Sequence, residues 1–181
     1  MDDDIFEEEE ISDKDTSGRV NLDKKSPPPK LDSILIYLEQ RFGITKQSLD
    51  ELQFAFYLGT QGKIFLGPKN ALSNPKIATI GLLCFRAESA IKPSSIFFQI
   101  IGDKIKKNFI KINKKAALKF LIGYDLLENE FDSNNSEEGY VLVKYYDGDT
   151  GEEFSLGCAL LKNRSIRNTL PKAKRLEVEY I

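Results

Sequence analysis

At 181 residues, with 41% hydrophobic and 30% charged side chains, the chain has the composition of a soluble globular protein of one or two small domains, not of a wholly disordered or membrane protein. It holds no histidine and two cysteines, which excludes Ser-His-Asp and Cys-His chemistry, histidine-ligated metals and a thiolate zinc site. The net charge of −2 conceals a segregation, because residues 1–30 carry ten acids against five bases and leave residues 31–181 at a net +3.

Residues 1–30 combine the acids Asp2 to Asp4 and Glu7 to Glu10 with the stretch SGRVNLDKKSPPPK. So little apolar surface cannot offset the entropy of ordering a backbone, and the segment is predicted to be a disordered acidic tail. Its plain role is solubility; the alternative is binding a basic partner or competing for the protein's own basic face. Pro27 to Pro29 stiffen the exit from the tail, with an SH3-type ligand role as a further alternative.

Leu31, Ile34, Leu35, Leu38 and Phe42 recur at helical spacing, and Gly43 follows as a stop, which predicts an amphipathic helix. Ser48 and Glu51 have the spacing of a capping box for a short turn. Alternation predicts a strand at 54–58, a turn from Gly59 to Gly62 and a strand at 63–66. Another strand is expected at 78–86, after the breakers GPKNALSNP. Pro93, Ser94 and Ser95 are expected to open a helix ending near Gly102. A strand at 109–112 and a helix at 114–122, stopped by Gly123, follow. Residues 140–145 and 154–161 read as a hairpin around DGDTG. Asn163 and Arg164 then turn into a strand over 165–170 ended by Pro171. Gly157 within a strand marks a bulge, a barrel corner or a close backbone approach, with packing favoured as the reason. Cys84 and Cys158 lie in apolar runs and are read as small buried hydrophobes of a reducing compartment. The class is α+β, with no internal repeat and too few βα alternations for a doubly wound sheet.

The cations of residues 31–181 fall in two groups. One runs from Lys104 through Lys106, Lys107, Lys111, Lys114 and Lys115 to Lys119; the other comprises Lys162, Arg164, Arg167, Lys172, Lys174 and Arg175, with no acid among them. Such a run, interleaved with strand and turn residues, is how a small β-domain presents charge to a phosphate backbone. Solvated lysines are the plain reading of the first group; a single face built from both is the alternative.

The segments KPSSIFFQIIG at 92–102, NFIKINKKAALKFLIGYDL at 108–126, EGYVLVKYYDG at 138–148, LGCALLKN at 156–163 and LPKAKR at 170–175, with RFGI at 41–44 and GKIFLG at 62–67, together resemble the PUA-like RNA-binding domain appended to Sun-type RNA cytosine-5 methyltransferases. The resemblance covers most of residues 31–175. It implies a small mixed β-barrel with flanking helices that binds structured tRNA or rRNA. The chain would then divide into the tail (1–30), an N-terminal α/β subdomain (31–90) and the PUA-like domain (91–181). Two departures stand out: the turn DGDTGEE is enlarged and acidic, and Arg164 stands where such domains often carry glycine.

The methyltransferases also carry a cofactor-binding domain with a Gly-rich loop and a catalytic cysteine after proline. Here Gly148 to Gly151 lies among acids, and both cysteines follow leucine. The expectation is a non-catalytic RNA-binding protein of RNA modification or of ribosome or tRNA biogenesis, without a cofactor. Its RNA contacts are expected at Lys162, Arg164, Arg167, Lys172, Lys174 and Arg175, with Lys92, Lys104 and Lys107 outlying. Tyr140 and Tyr145 are read as core residues, with base stacking as the alternative. A methyltransferase or ribosome assembly factor is the expected protein partner. The alternative function is a protein-interaction module serving as accessory subunit of such an assembly. An acidic N-terminus and no apolar run of about 18–20 residues argue for the cytoplasm rather than a membrane.

Overall fold

Helix α1 (Leu31–Phe42) forms because Ile34, Leu38 and Phe42 stack on one face, and all three are fully buried. The structure, a computed structural model, describes residues 31–69, 81–88, 90–132 and 136–177. The tail expected over 1–30 and positions 78–80 of the expected third strand lie outside these residues. Helix α2 (Lys46–Asp50) starts one turn earlier than the Ser48–Glu51 pair implies. The Thr45 hydroxyl, three residues upstream, accepts from the Ser48 N–H at 3.2 Å, and Glu51 falls at the helix end instead.

The first sheet is an antiparallel meander of β1 (Phe54–Leu58), β2 (Lys63–Pro68), β3 (Leu82–Ala87) and β4 (Ile91–Pro93), paired in that order. Strand β4 was not expected. Three residues are too few to show alternation, and Pro93, read as the opening of a helix, closes this edge strand, a position proline tolerates. Helix α3 (Ser95–Ile101) begins one residue later, with the Ser94 hydroxyl accepting from the Phe97 N–H at 3.3 Å.

The second sheet has the order β5 (Phe109–Ile112), β6 (Gly139–Tyr146), β7 (Glu153–Lys162) and β8 (Ser165–Asn168). Strands β5 and β6 are parallel and the other pairs antiparallel. Helix α4 (Lys114–Ile122) lies between β5 and β6 in the chain, capped by Asn113 and ended by Gly123 at φ +108°. Strand β8 stops two residues short of the expected 165–170 because the side chain of Asn168, its last paired residue, ties the chain to the end of α4. Its Nδ2 donates to the Phe120 carbonyl at 2.6 Å, and its Oδ1 accepts from the Leu170 N–H at 2.8 Å. The class is therefore α+β with two four-stranded sheets, and among the described residues no pairing closes either sheet on itself.

The second sheet is buried on both faces. Leu142 and Cys158 point into a core shared with α1, α3 and the first sheet; Val141, Val143, Ala159, Leu161 and Ile166 point into another with Phe120, Leu126 and Leu170. That is why β6 reads as a continuous apolar run. In the shared core Phe42 meets Phe98, and Phe85 meets Phe97, edge to face with centroids 4.8 Å apart, each pair contributing about 0.5–1.5 kcal/mol beyond its buried area. Helix α3 reaches β7 through Gly157. A Cβ there would lie 2.9 Å from the Ser95 Cβ, at φ +142°, so packing is the reason for this glycine. The β6–β7 register also shifts here, between Val143 and Lys144.

Candidate nucleic-acid interface

The expected cations of residues 162–175 fall on β8 and the turns at its two ends. Asn163 and Arg164 form the two-residue connection from β7 to β8 with φ +49° and +55°, the both-positive geometry that Asn-Gly normally supplies. Arginine in this left-handed region costs roughly 1–2 kcal/mol. The turn is held by the Glu138 carboxylate, which accepts from the Asn163 N–H at 2.8 Å. Arg164 reaches Glu128 at 3.3 Å, but both side chains are mostly exposed, and such pairs hold with at most about 1 kcal/mol.

Lys162 is exposed at the end of β7. Arg167 projects from β8 opposite Leu160, in the cross-strand row that continues to Tyr140 on β6. Tyr140 is half-buried; burial raises its pKa while the Arg167 charge lowers it. It belongs with the shared core, as does the stacked pair Tyr145 and Phe154 with the second sheet's own packing, centroids 5.9 Å apart. Past β8, Pro171 leads into the single 3-10 turn Lys172–Lys174, both lysines exposed.

Arg175 behaves differently from its neighbours. Its Nε donates to the Leu170 carbonyl at 3.2 Å, and its side chain lies against Gly123, where a Cβ would meet its Cδ at 2.4 Å. A guanidinium at the C-terminal end of α4 also complements the helix dipole. This residue fastens the tail to α4. Beside it Tyr124, the residue after the helix-ending glycine, is 61% exposed, and its carbonyl accepts from Asn168 Nδ2 at 3.1 Å. Sequence reasoning passed over Tyr124, though its signal was there: an aromatic placed immediately after a helix stop has no helical face to bury it.

The outlying candidates are not gathered onto β8. Lys104 is held by Glu51 at 3.0 Å. Lys107 lies against Gly43, two residues before β5, and β5 and β8 are opposite edges of the sheet, three strand spacings or roughly 14 Å apart. Lys92 sits on β4 of the first sheet. The two sheets do meet nearby, since the Cys158 thiol donates to the Pro93 carbonyl at 3.4 Å and touches the Thr169 hydroxyl at 3.3 Å.

No protein-family model matches the chain, and no curated protein matches it.

Of the remaining lysines of the first basic group, Lys106, Lys107, Lys114 and Lys115 are exposed and make no ion pair among the described residues, while Lys111 and Lys119 are paired. Lys111 and Lys144 converge on Glu153 and Lys119 pairs with Glu130 at 2.7 Å. The hydrogen bond from Lys111, more than that from Lys144, holds the Glu153 carboxyl below the usual carboxylate range. Both thiols are buried, and burial pushes Cys84 up to about 12 and raises Cys158 as well, so neither is a ready nucleophile. A groove of about 430 Å³ is lined by Leu31, Leu35, Leu49, Phe54 and Leu66, with Asp50 and Lys69 paired at 3.4 Å on its rim. Among the described residues no three metal-ligating side chains cluster, and no helix is long and apolar enough to cross a membrane.

Proposed function

We propose that the protein binds structured RNA, tRNA or rRNA, through the β7–β8 turn, β8 and the turn that follows, and that it acts in RNA modification or in ribosome or tRNA biogenesis without chemistry of its own. The observation that carries this reading is that Lys162, Arg167, Lys172 and Lys174 are exposed along one short strand and its flanking turns, and none makes an ion pair among the described residues. Cations left without carboxylate partners along a strand are free to displace counterions from a phosphate backbone. Arg164 adds to it, because a cation is kept at a turn position where backbone geometry favours glycine, and strained residues cluster at functional sites. In this reading the second sheet with α4 corresponds to the PUA-like module, its barrel included. Tyr124, exposed just past the end of α4 where its carbonyl accepts from Asn168 of β8, is then the aromatic on which an unpaired base stacks.

Titrating the protein into labelled tRNA and into rRNA fragments at increasing salt tests the proposal. Neutralising about four to six phosphates gives a log–log slope of roughly −3 to −5, and Arg167→Glu with Lys172→Glu should weaken binding by about a hundredfold. Binding that is indifferent both to salt and to this double substitution overturns it.

A further inference from the structure

Residues directly opposite one another across antiparallel strands project from the same face of the sheet. In the first sheet the register sets Lys63 against Arg86 and Arg86 against Lys92, so three cations form one row across β2, β3 and β4. The neighbouring row, Ile64, Phe85 and Pro93, is buried, which places the cation row on the face turned away from the core. Arg86 and Lys92 are exposed and Lys63 is half-buried, and none of the three makes an ion pair among the described residues. Glu88 shares a shallow depression of about 100 Å³ with Arg86, Ala90 and Lys92 but pairs with neither cation. Along the same outer face lies a second row in which Tyr57 is opposite Phe65 and Phe65 opposite Leu83, all half-buried.

A row of like charges set opposite one another works against the sheet, and no carboxylate among the described residues pairs with the row to relieve it. An anion from outside does so. Aromatic side chains next to a track of cations are the means by which proteins hold single strands, the cations following the backbone while bases stack regardless of sequence. A duplex, with its bases enclosed, makes no use of the aromatic row. We propose that the outer face of the first sheet is a second nucleic-acid surface, which binds a single-stranded segment with its phosphates along Lys63, Arg86 and Lys92 and its bases toward Tyr57 and Phe65. Lys92 thereby belongs to this row rather than to the C-terminal face. The inference shares with the proposed function only the class of ligand, because none of the cations of residues 162–175 takes part.

The test uses the full chain and a short labelled oligouridylate, followed by fluorescence anisotropy across a salt series, with folded tRNA in parallel. The variant Lys63→Thr, Arg86→Thr, Lys92→Thr keeps strand propensity while removing the charges. It should bind oligouridylate at least about tenfold more weakly, with a log–log slope shallower by about two units, and should melt about 2 °C higher because the repulsion is gone. Arg167→Glu with Lys172→Glu should weaken oligouridylate binding less than the triple variant does, and tRNA binding more. Loss of oligouridylate binding in the triple variant alone supports the second surface even if wild-type protein ignores tRNA, which would sink only the C-terminal reading. Oligouridylate affinity and slope that survive the triple substitution overturn the inference, and so does displacement of oligouridylate by polyglutamate at equal charge.

Discussion

Residues 104–119 and residues 162–175 are both dense in cations, but they use them differently. In the first segment Lys104, Lys111 and Lys119 are each held by a carboxylate, from Glu51, Glu153 and Glu130, while Lys106, Lys107, Lys114 and Lys115 are exposed and make no ion pair among the described residues. In the second only Arg164 meets an acid, through a contact open to solvent, and Arg175 is committed to backbone at the end of α4. The difference shows that free charge, not charge, defines an electrostatic surface. The neutralising acids lie 11 to 53 residues away in sequence, so the count of lysines in a window says little about what a phosphate would meet.

This contrast can be broken at several points. The largest effect is expected where β7 is fixed against α3: Gly157→Val places a side chain at φ +142° within 3 Å of Ser95 and should cost about 3 kcal/mol in urea denaturation. Gly148→Ala, with nothing within 4 Å of the added Cβ, should stay within about 0.5 kcal/mol. If both glycines tolerate substitution equally, β7 is not held by the contact with α3 described.

A smaller effect, opposite in sign, is expected at the turn tip. Arg164→Gly removes the left-handed strain at φ +55° and should raise stability by about 1 kcal/mol while weakening RNA binding severalfold. Greater stability with undiminished RNA affinity would show that the arginine is not retained for its charge.

The smallest effect concerns the paired lysines of the first segment. The Glu153 carboxyl is held low by Lys111 and then Lys144. Its contribution is therefore complete above the unfolded-state value of about 4.3 and is lost as pH falls through the lower folded value. Glu153→Gln should flatten the acid limb of a stability-against-pH curve in that window and lower the plateau at pH 7 to 8 by the contribution that Glu153 makes there. An acid limb identical to wild type would contradict the pairing that separates the two segments.

Much of this architecture was legible in the chain. The helix at 31–42, the α4 helix with its Gly123 stop, and the hairpin around DGDTG follow from periodicity and turn chemistry, because each is decided within a few residues. Strand β4 was hidden because three residues carry no period and Pro93 has more than one use. The end of β8 differs from the expectation because the side chain of Asn168, the last paired residue, turns to carbonyls of α4 and Tyr124, partners more than forty residues away. The candidate site divides in the same manner. Lys162, Arg167, Lys172 and Lys174 could be named from composition, whereas the commitments of Lys104 and Arg175, and the alignment of Lys63, Arg86 and Lys92, depend on register and distant contacts.

The central claim is that the cations left unpaired at the end of the chain, and not basic residues in general, form the face for structured RNA. Measuring the salt dependence of tRNA affinity for Arg167→Gln, Lys172→Gln, Lys174→Gln beside Lys104→Gln, Lys111→Gln, Lys119→Gln tests it most directly, since each triple variant removes the same charge. The account predicts that the first flattens the log–log slope by about two to three units and the second leaves it unchanged. Equal flattening by the two variants would contradict it.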